Sequence, residues 1–197
     1  MRKRLFFVLM MTLLLSSCSG EESGMAQAEE EALSIRTEYI AMQSCALQAA
    51  ITADYGQRVY EFELTGTLTG EEWVLTLTAP ETVAGVTARL REGENLLEYD
   101  GTILETGELN EDGLSPVSAI PALLEEVRSG FITACALEVL DGRETIRVTC
   151  GPAEEGAAQV TEYGLWFDRE SHALVQGEIL VDGLRVILCR FQPVSPG

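Results

Sequence analysis

Tyr60-Glu61-Phe62-Glu63-Leu64-Thr65-Gly66-Thr67-Leu68, followed after Thr69-Gly70 by Trp73-Val74-Leu75-Thr76-Leu77-Thr78-Ala79, decides the fold class of this chain. Tyr60, Phe62, Leu64 and Leu68 alternate with Glu61, Glu63, Thr65 and Thr67, and Trp73, Leu75, Leu77 and Ala79 with Val74, Thr76 and Thr78. A period of two is that of a β-strand. One apolar and one polar face make an antiparallel sheet that is wet on one side.

The same period extends outward. Leu47, Ala49, Ile51 and Ala53 alternate upstream, beginning from Cys45, and shorter runs follow at Val86 to Arg91, Leu96 to Tyr99 and Thr102 to Glu105. Five more runs lie at about Phe131 to Leu140, Glu144 to Cys150, Gln159 to Asp168, Ala173 to Val181 and Leu184 to Gln192. Tyr55-Gly56, Thr69-Gly70, Asp100-Gly101, Asp141-Gly142 and Asp182-Gly183 each separate two runs with hairpin-turn chemistry. Consecutive strands are therefore expected to be neighbours in a meander.

Two segments change the period. Ala26 to Met42 reads as an amphipathic helix, with Ile35, Tyr39 and Met42 at spacings of four and three and Leu33 with Ile40 seven apart. A second helix is expected to be capped by Ser118, with Pro121 in its first turn, Ile120, Leu123, Leu124 and Val127 on its apolar face and Gly130 at its end. The fold class is α+β: a strongly curved antiparallel meander of about ten strands, open like a half-barrel, with an N-terminal helix and one inserted helix, since so many strands rarely stay flat.

Charge narrows the partners. Beyond Met1-Arg2-Lys3-Arg4 the chain has ten arginines, no lysine and 32 acidic residues, a net charge of about −22. That excludes a nucleic-acid-binding surface, which needs basic residues against phosphate. It also opposes adsorption to anionic headgroups.

The basic start, the apolar run Leu5 to Leu15 and the residues Leu15-Ser16-Ser17-Cys18 resemble a bacterial lipoprotein signal with its lipobox. The run is too short to span a hydrocarbon core about 30 Å thick as a permanent helix. The resemblance implies cleavage before Cys18, a lipid thioether on its sulfur and an extracytoplasmic, membrane-anchored location. Residues 1–17 read as signal peptide, 18–31 as the lipidated cysteine and a flexible acidic tether, and 32–194 as one domain.

The order of elements resembles the LolA-like half-barrel superfamily. Ala79-Pro80-Glu81-Thr82-Val83-Ala84-Gly85-Val86 and Leu96-Leu97-Glu98-Tyr99-Asp100-Gly101 are similar to uncharacterised Gram-positive lipoproteins of that group. The resemblance implies a concave apolar face able to hold a lipid, and no catalytic residue. Its lining is expected from Tyr60, Phe62, Leu64, Trp73, Leu75, Leu77, Leu123 and Val127, and the filling is either a ligand or the inserted helix with the aromatic side chains Tyr60, Phe62, Trp73 and Trp166. The related sporulation and germination lipoproteins suggest the alternative, an anchored scaffold or regulator of another envelope protein.

Other chemistry is thin. His172, the only histidine, lies between two strands without a visible partner to orient it as a base. Glu108-Leu109-Asn110-Glu111-Asp112-Gly113 has the first half of a calcium loop, but Ala119 stands where the twelfth position needs a glutamate. No cluster for zinc and no phosphate cradle is present, so neither an enzyme nor a cofactor is expected. Cys135 and Cys150 fall on the apolar face of one hairpin. A four-residue loop, Asp141 to Glu144, would put them opposite one another for a disulfide, whereas a two-residue Asp141-Gly142 turn would set them on a diagonal. Cys45 and Cys189 lie in the first and last expected strands, which could meet only if the sheet bends far round, and the compartment permits disulfides.

Overall fold

The computed structural model describes residues 19–91, 94–106, 113–153 and 159–192. The signal, Cys18 and Glu108 to Asp112 of the calcium-like stretch lie outside the described residues.

The chain begins with helix α1 (Ser19–Ala41) and continues through β1 (Ser44–Asp54), β2 (Val59–Thr69), β3 (Glu72–Ala79), β4 (Thr87–Arg91), β5 (Glu94–Tyr99) and β6 (Thr102–Glu105). Helix α2 (Ala119–Ser129) follows, then β7 (Ile132–Leu140), β8 (Arg143–Cys150), β9 (Thr161–Asp168), β10 (Leu174–Val181) and β11 (Leu184–Gln192). All eleven strands form one antiparallel sheet in the order β6-β5-β4-β3-β2-β1-β11-β10-β9-β8-β7. It does not close into a barrel: β6 and β7 are its edges.

The architecture is the expected one with one change of topology. The sheet is two meanders, β1 to β6 and β7 to β11, joined where the first strand pairs with the last, from Gln48 opposite Gln192 to Ala53 opposite Ile187. The first and last strands meet at mid-sheet, with no need for the sheet to bend round on itself. β6 and β7 occupy opposite edges, roughly 48 Å apart along the sheet at about 4.8 Å per strand, and α2, which lies between them in sequence, rests on one face.

Turn chemistry explains the registers. Asp100-Gly101, Asp141-Gly142 and Asp182-Gly183 each have positive φ at both residues, as a two-residue type I′ turn requires. Leu140 pairs with Arg143 across the second of these.

The tether expectation is corrected. Ser19 onward is helical and continuous with the predicted amphipathic helix, so residues 19–31 belong to α1. Ala28, Ala32 and Ile35 are buried, and Glu31 accepts two hydrogen bonds from Arg169 at 2.7 and 3.0 Å. Leu33 and Ile40, expected on the apolar face, are 58% and 57% exposed. The buried stripe at 28, 32, 35 and 39 repeats at spacings of four, three and four, and Leu33 and Ile40 each follow one of its members, turned about 100° away from the sheet.

Both helices pack on one face of the sheet, α1 against β7, β8 and α2, and α2 against β9, β10 and β11. On this face Ile51, Leu64, Leu75, Ile146, Leu165, Phe167, Ile179 and Ile187 are all essentially inaccessible. Gly177 admits α2 to this face: a Cβ there would come 2.7 Å from Leu123 Cδ1. Ser118 departs from expectation, since its hydroxyl bonds Ser115 and makes no cap to the helix.

Candidate functional site

Inner-face rows can be followed strand by strand. Cys45 opposes Leu68, Leu68 opposes Trp73, Trp73 opposes Leu90, and Leu90 opposes Asn95. On the β7 to β11 side the helices cover this face, but α2 leans toward β9 to β11 and leaves a cleft above β2 to β5.

That cleft encloses about 560 Å³. Leu68, Trp73, Leu90 and Leu124, all buried, form its floor, and Pro121 and Ala122 belong to its wall. Glu71, Arg91 and Glu125 are exposed at the rim beside Arg128. A second hollow of about 650 Å³ shares Gly70, Glu71, Arg91, Glu125 and Arg128 and reaches Ile40, Met42 and Gln43. The two are one groove along α2. Its first part lies within the roughly 300–1,000 Å³ typical of small-molecule sites, and its lining sets the apolar floor against the polar side chains of Glu71, Arg91, Asn95, Ser118, Glu125 and Arg128.

Arginines set the groove's wall. Arg128 donates to the carbonyls of Tyr39 and Met42 at 3.0 and 3.3 Å, which fixes α2 against the end of α1. Arg36 donates to the carbonyls of Val127, Glu126 and Gly130 at 2.9, 3.4 and 2.7 Å. Burial raises the carboxyl pKa of Glu126 above the usual range, with Glu125 adding to the rise and Arg36 opposing it.

Of the eight residues expected to line a cavity, Trp73 borders the groove. Leu64, Leu75, Leu77, Leu123 and Val127 are buried in the core, and Phe62 packs partly buried against it. Tyr60 is 40% exposed, in a row of rings between Tyr55 and Phe62. Leu68 and Leu90 were legible as inward strand residues, and a two-residue turn at Gly70-Glu71 would have placed Leu68 against Trp73. The rim residues carried no signal, because their meeting depends on where α2 lies.

Trp166 is on the other face of the sheet, so it cannot fill the concave side. Its neighbours Leu165 and Phe167 point into the core, and strand alternation sends the indole outward. There it donates to Glu138 at 2.9 Å beneath Arg147, whose guanidinium carbon sits 4.9 Å from the ring centroid. Gly164 leaves room for Trp166 and Glu178: a Cβ would come 3.0 Å from Trp166 Cζ3 and 2.9 Å from Glu178 Cγ.

The four described cysteines are free thiols. The two-residue turn puts Cys135 opposite Val148, and the irregularity between Ile132 and Ala134 puts Cys150 opposite Ile132. The pair is therefore diagonal and unbonded. Cys189 opposes Ile51, six residues along β1 from Cys45, roughly 20 Å away at strand rise. His172 does have a partner: its Nδ1 lies 2.8 Å from Glu38, and its carbonyl accepts a hydrogen bond from the Tyr39 hydroxyl at 3.2 Å. That hydroxyl also accepts from Leu174 N–H at 2.9 Å, and burial pushes its pKa up to about 12. The contacts join α1 to the β9–β10 turn, beside a small hollow of about 120 Å³ that Tyr39, Ala173 and Leu174 help to line.

Among the described residues no group of three or more His, Cys, Asp or Glu side chains could hold a metal ion. No described helix is long and apolar enough to cross a membrane.

No family model and no curated protein matches the sequence. Solved structures do resemble the fold. LppX, a lipoprotein of Mycobacterium tuberculosis, is 17% identical, with a TM-score of 0.43 over 83% of this chain and 95% of that one. A LolA superfamily protein from Nitrosomonas europaea is 9% identical, with 0.41 over 82% and 91%. A structure of the CwlD amidase from Clostridioides difficile in complex with the GerS lipoprotein gives 11% identity and 0.46 over 86% and 95%. Lipoproteins and LolA-superfamily chains are thus among the proteins this fold is similar to. At these identities and TM-scores the similarity transfers no activity or ligand.

Proposed function

We propose that this protein is a lipoprotein anchored through Cys18 on the extracytoplasmic side of the cell membrane, and that it is a non-catalytic binding module for a lipid or other apolar ligand. The observation that carries the reading is the groove between α2 and β2 to β5, with its floor of Leu68, Trp73, Leu90 and Leu124 and its charged rim. An apolar floor removes hydrocarbon from water at about 25 cal/mol per Å², and the rim charges remain hydrated beside a polar head. Mass spectrometry of organic extracts from the purified domain, together with uptake of a fluorescent fatty acid, tests it. A protein that carries no lipid and takes up none sinks the reading.

A second reading is favoured by one further feature. β7 is a nine-residue edge strand flanked by Phe131, with Leu137 and Val139 also exposed, Val139 to 71%. It carries neither lysine nor proline to discourage strand addition. In this reading the protein is a scaffold or regulator that docks another envelope protein, one of sporulation or germination included. Cross-linking in native membranes that recovers no protein through β7 counts against it.

A further inference from the structure

The anchor and the groove lie at opposite ends of α1. The helix starts at Ser19, the residue after Cys18, and the groove opens beside Ile40, Met42 and Gln43 at the other end. Twenty-three helical residues at about 1.5 Å each separate them by roughly 34 Å. The sheet gives a second measure. α1 crosses β7 in its N-terminal half, where the thiol of Cys135, its pKa raised chiefly by burial, also feels the charge of Glu29. From β7 to β3, which supplies Trp73 to the groove, is seven strand spacings, again roughly 34 Å along the sheet.

α1 is not free to swing. Glu31 is held by Arg169, Glu38 by His172, Tyr39 by the Leu174 amide, and Ala28, Ala32 and Ile35 are buried. Nor is it suited to lying on a bilayer. Residues 19–31 carry five glutamates and no basic residue, which anionic headgroups repel.

We infer that α1 is a strut: with Cys18 in the membrane, it holds the groove roughly 34 Å from the point of lipid attachment. The groove therefore exchanges its ligand with proteins on the extracytoplasmic side and not with the bilayer beneath it. Its own acyl chains cannot occupy it. The inference rests on the anchored, ligand-holding reading above.

Trp73 reports on it directly. The full chain carrying Trp166→Phe, which leaves Trp73 as the sole tryptophan, is purified with its lipid and placed in nanodiscs of phosphatidylglycerol and phosphatidylethanolamine, with or without bromine on the acyl chains. Equal Trp73 emission in both discs is expected. Quenching by the brominated lipid with the acyl group present on Cys18 overturns the strut alone. An intact mass lacking that acyl group sinks the anchor reading and the strut with it. A flexible Gly-Ser insertion after Met25 is expected to introduce quenching. If the insertion leaves emission unchanged, α1 is not what keeps the groove away, and the strut is likewise rejected.

Discussion

Arg36 and Arg128 cap each other's helices. Arg36 of α1 donates to the last carbonyls of α2, those of Glu126, Val127 and Gly130, while Arg128 of α2 donates to Tyr39 and Met42 at the end of α1. Each guanidinium meets the negative end of the partner helix, where the last carbonyls are left without helical N–H partners; the Glu126 carbonyl is shared with the Gly130 amide. Two helices far apart in sequence are thereby fixed at one angle, and that angle leaves the groove open.

Removing either arginine should therefore cost more than an ordinary surface substitution. Arg36→Ala is expected to destabilise by about 2–3 kcal/mol, given that hydrogen bonds to a charged donor are worth about 1.5–3 kcal/mol. Arg128→Ala should cost about 1–2 kcal/mol on its two longer contacts. Arg36→Lys should recover little, because an ammonium cannot present a fork to three carbonyls. Urea midpoints at unchanged slope measure all three.

Filling the groove should abolish uptake without unfolding the domain. Glu125 is exposed at the rim, on the helix side. Glu125→Trp is expected to weaken binding of a fluorescent fatty acid at least about tenfold, a loss of about 1.4 kcal/mol, with the thermal midpoint nearly unchanged. Glu125→Gln should bind as the parent does. Equal binding by the tryptophan variant would place the ligand elsewhere.

Gly177→Ala tests why α2 can sit on the sheet. The added Cβ would press on Leu123 Cδ1 at 2.7 Å and Cδ2 at 3.0 Å. Overpacking of this kind costs about 1–3 kcal/mol. Gly177→Ala with Leu123→Ala together should lose less than the sum of the two singles, as contacting residues do.

Thiol reactivity should follow burial. Burial pushes Cys150 up to about 11, and the fully enclosed Cys189 is raised further. At neutral pH a thiol reagent is expected to modify Cys45 and Cys135, both half-buried, well before Cys150, and Cys189 only after unfolding. Non-reducing peptide maps of the native protein should show no Cys135–Cys150 or Cys45–Cys189 link.

Acid should loosen α1 from the sheet. The Arg169 side chain holds the Glu31 carboxyl below its ordinary value, and the Ser171 amide does the same for Asp168. Carboxyls lowered on folding contribute stability above their unfolded pKa values, near 4.5 and 3.8 here. That stability is lost as the pH falls through the folded values. Glu126 acts oppositely: its raised pKa favours the folded state below about pH 4.5 and withdraws that support as the pH rises. Urea titrations from pH 6 to pH 3 should show Arg169→Met with a shallower acid-side loss than the parent, because Glu31 is then no longer depressed.

The sequence determined the strands, the turns between them, the two helices and the absence of basic surface. These follow from local rules: alternation at Tyr60 to Leu68 and Trp73 to Ala79 fixes which face is apolar, and Asp-Gly pairs adopt the left-handed turn wherever they lie. The tertiary structure decided what depends on contacts between distant segments. Pairing of β1 with β11 placed the first and last strands at mid-sheet and separated Cys45 from Cys189. Packing against β7 and the hold of Arg169 on Glu31 went with helix where composition suggested a tether. The groove arises because α2, seated on Gly177 and fixed through Arg36 and Arg128, covers one half of the apolar face and stops short of the other. No local period records where a connecting segment comes to rest, since that position is set by side chains roughly ninety residues apart.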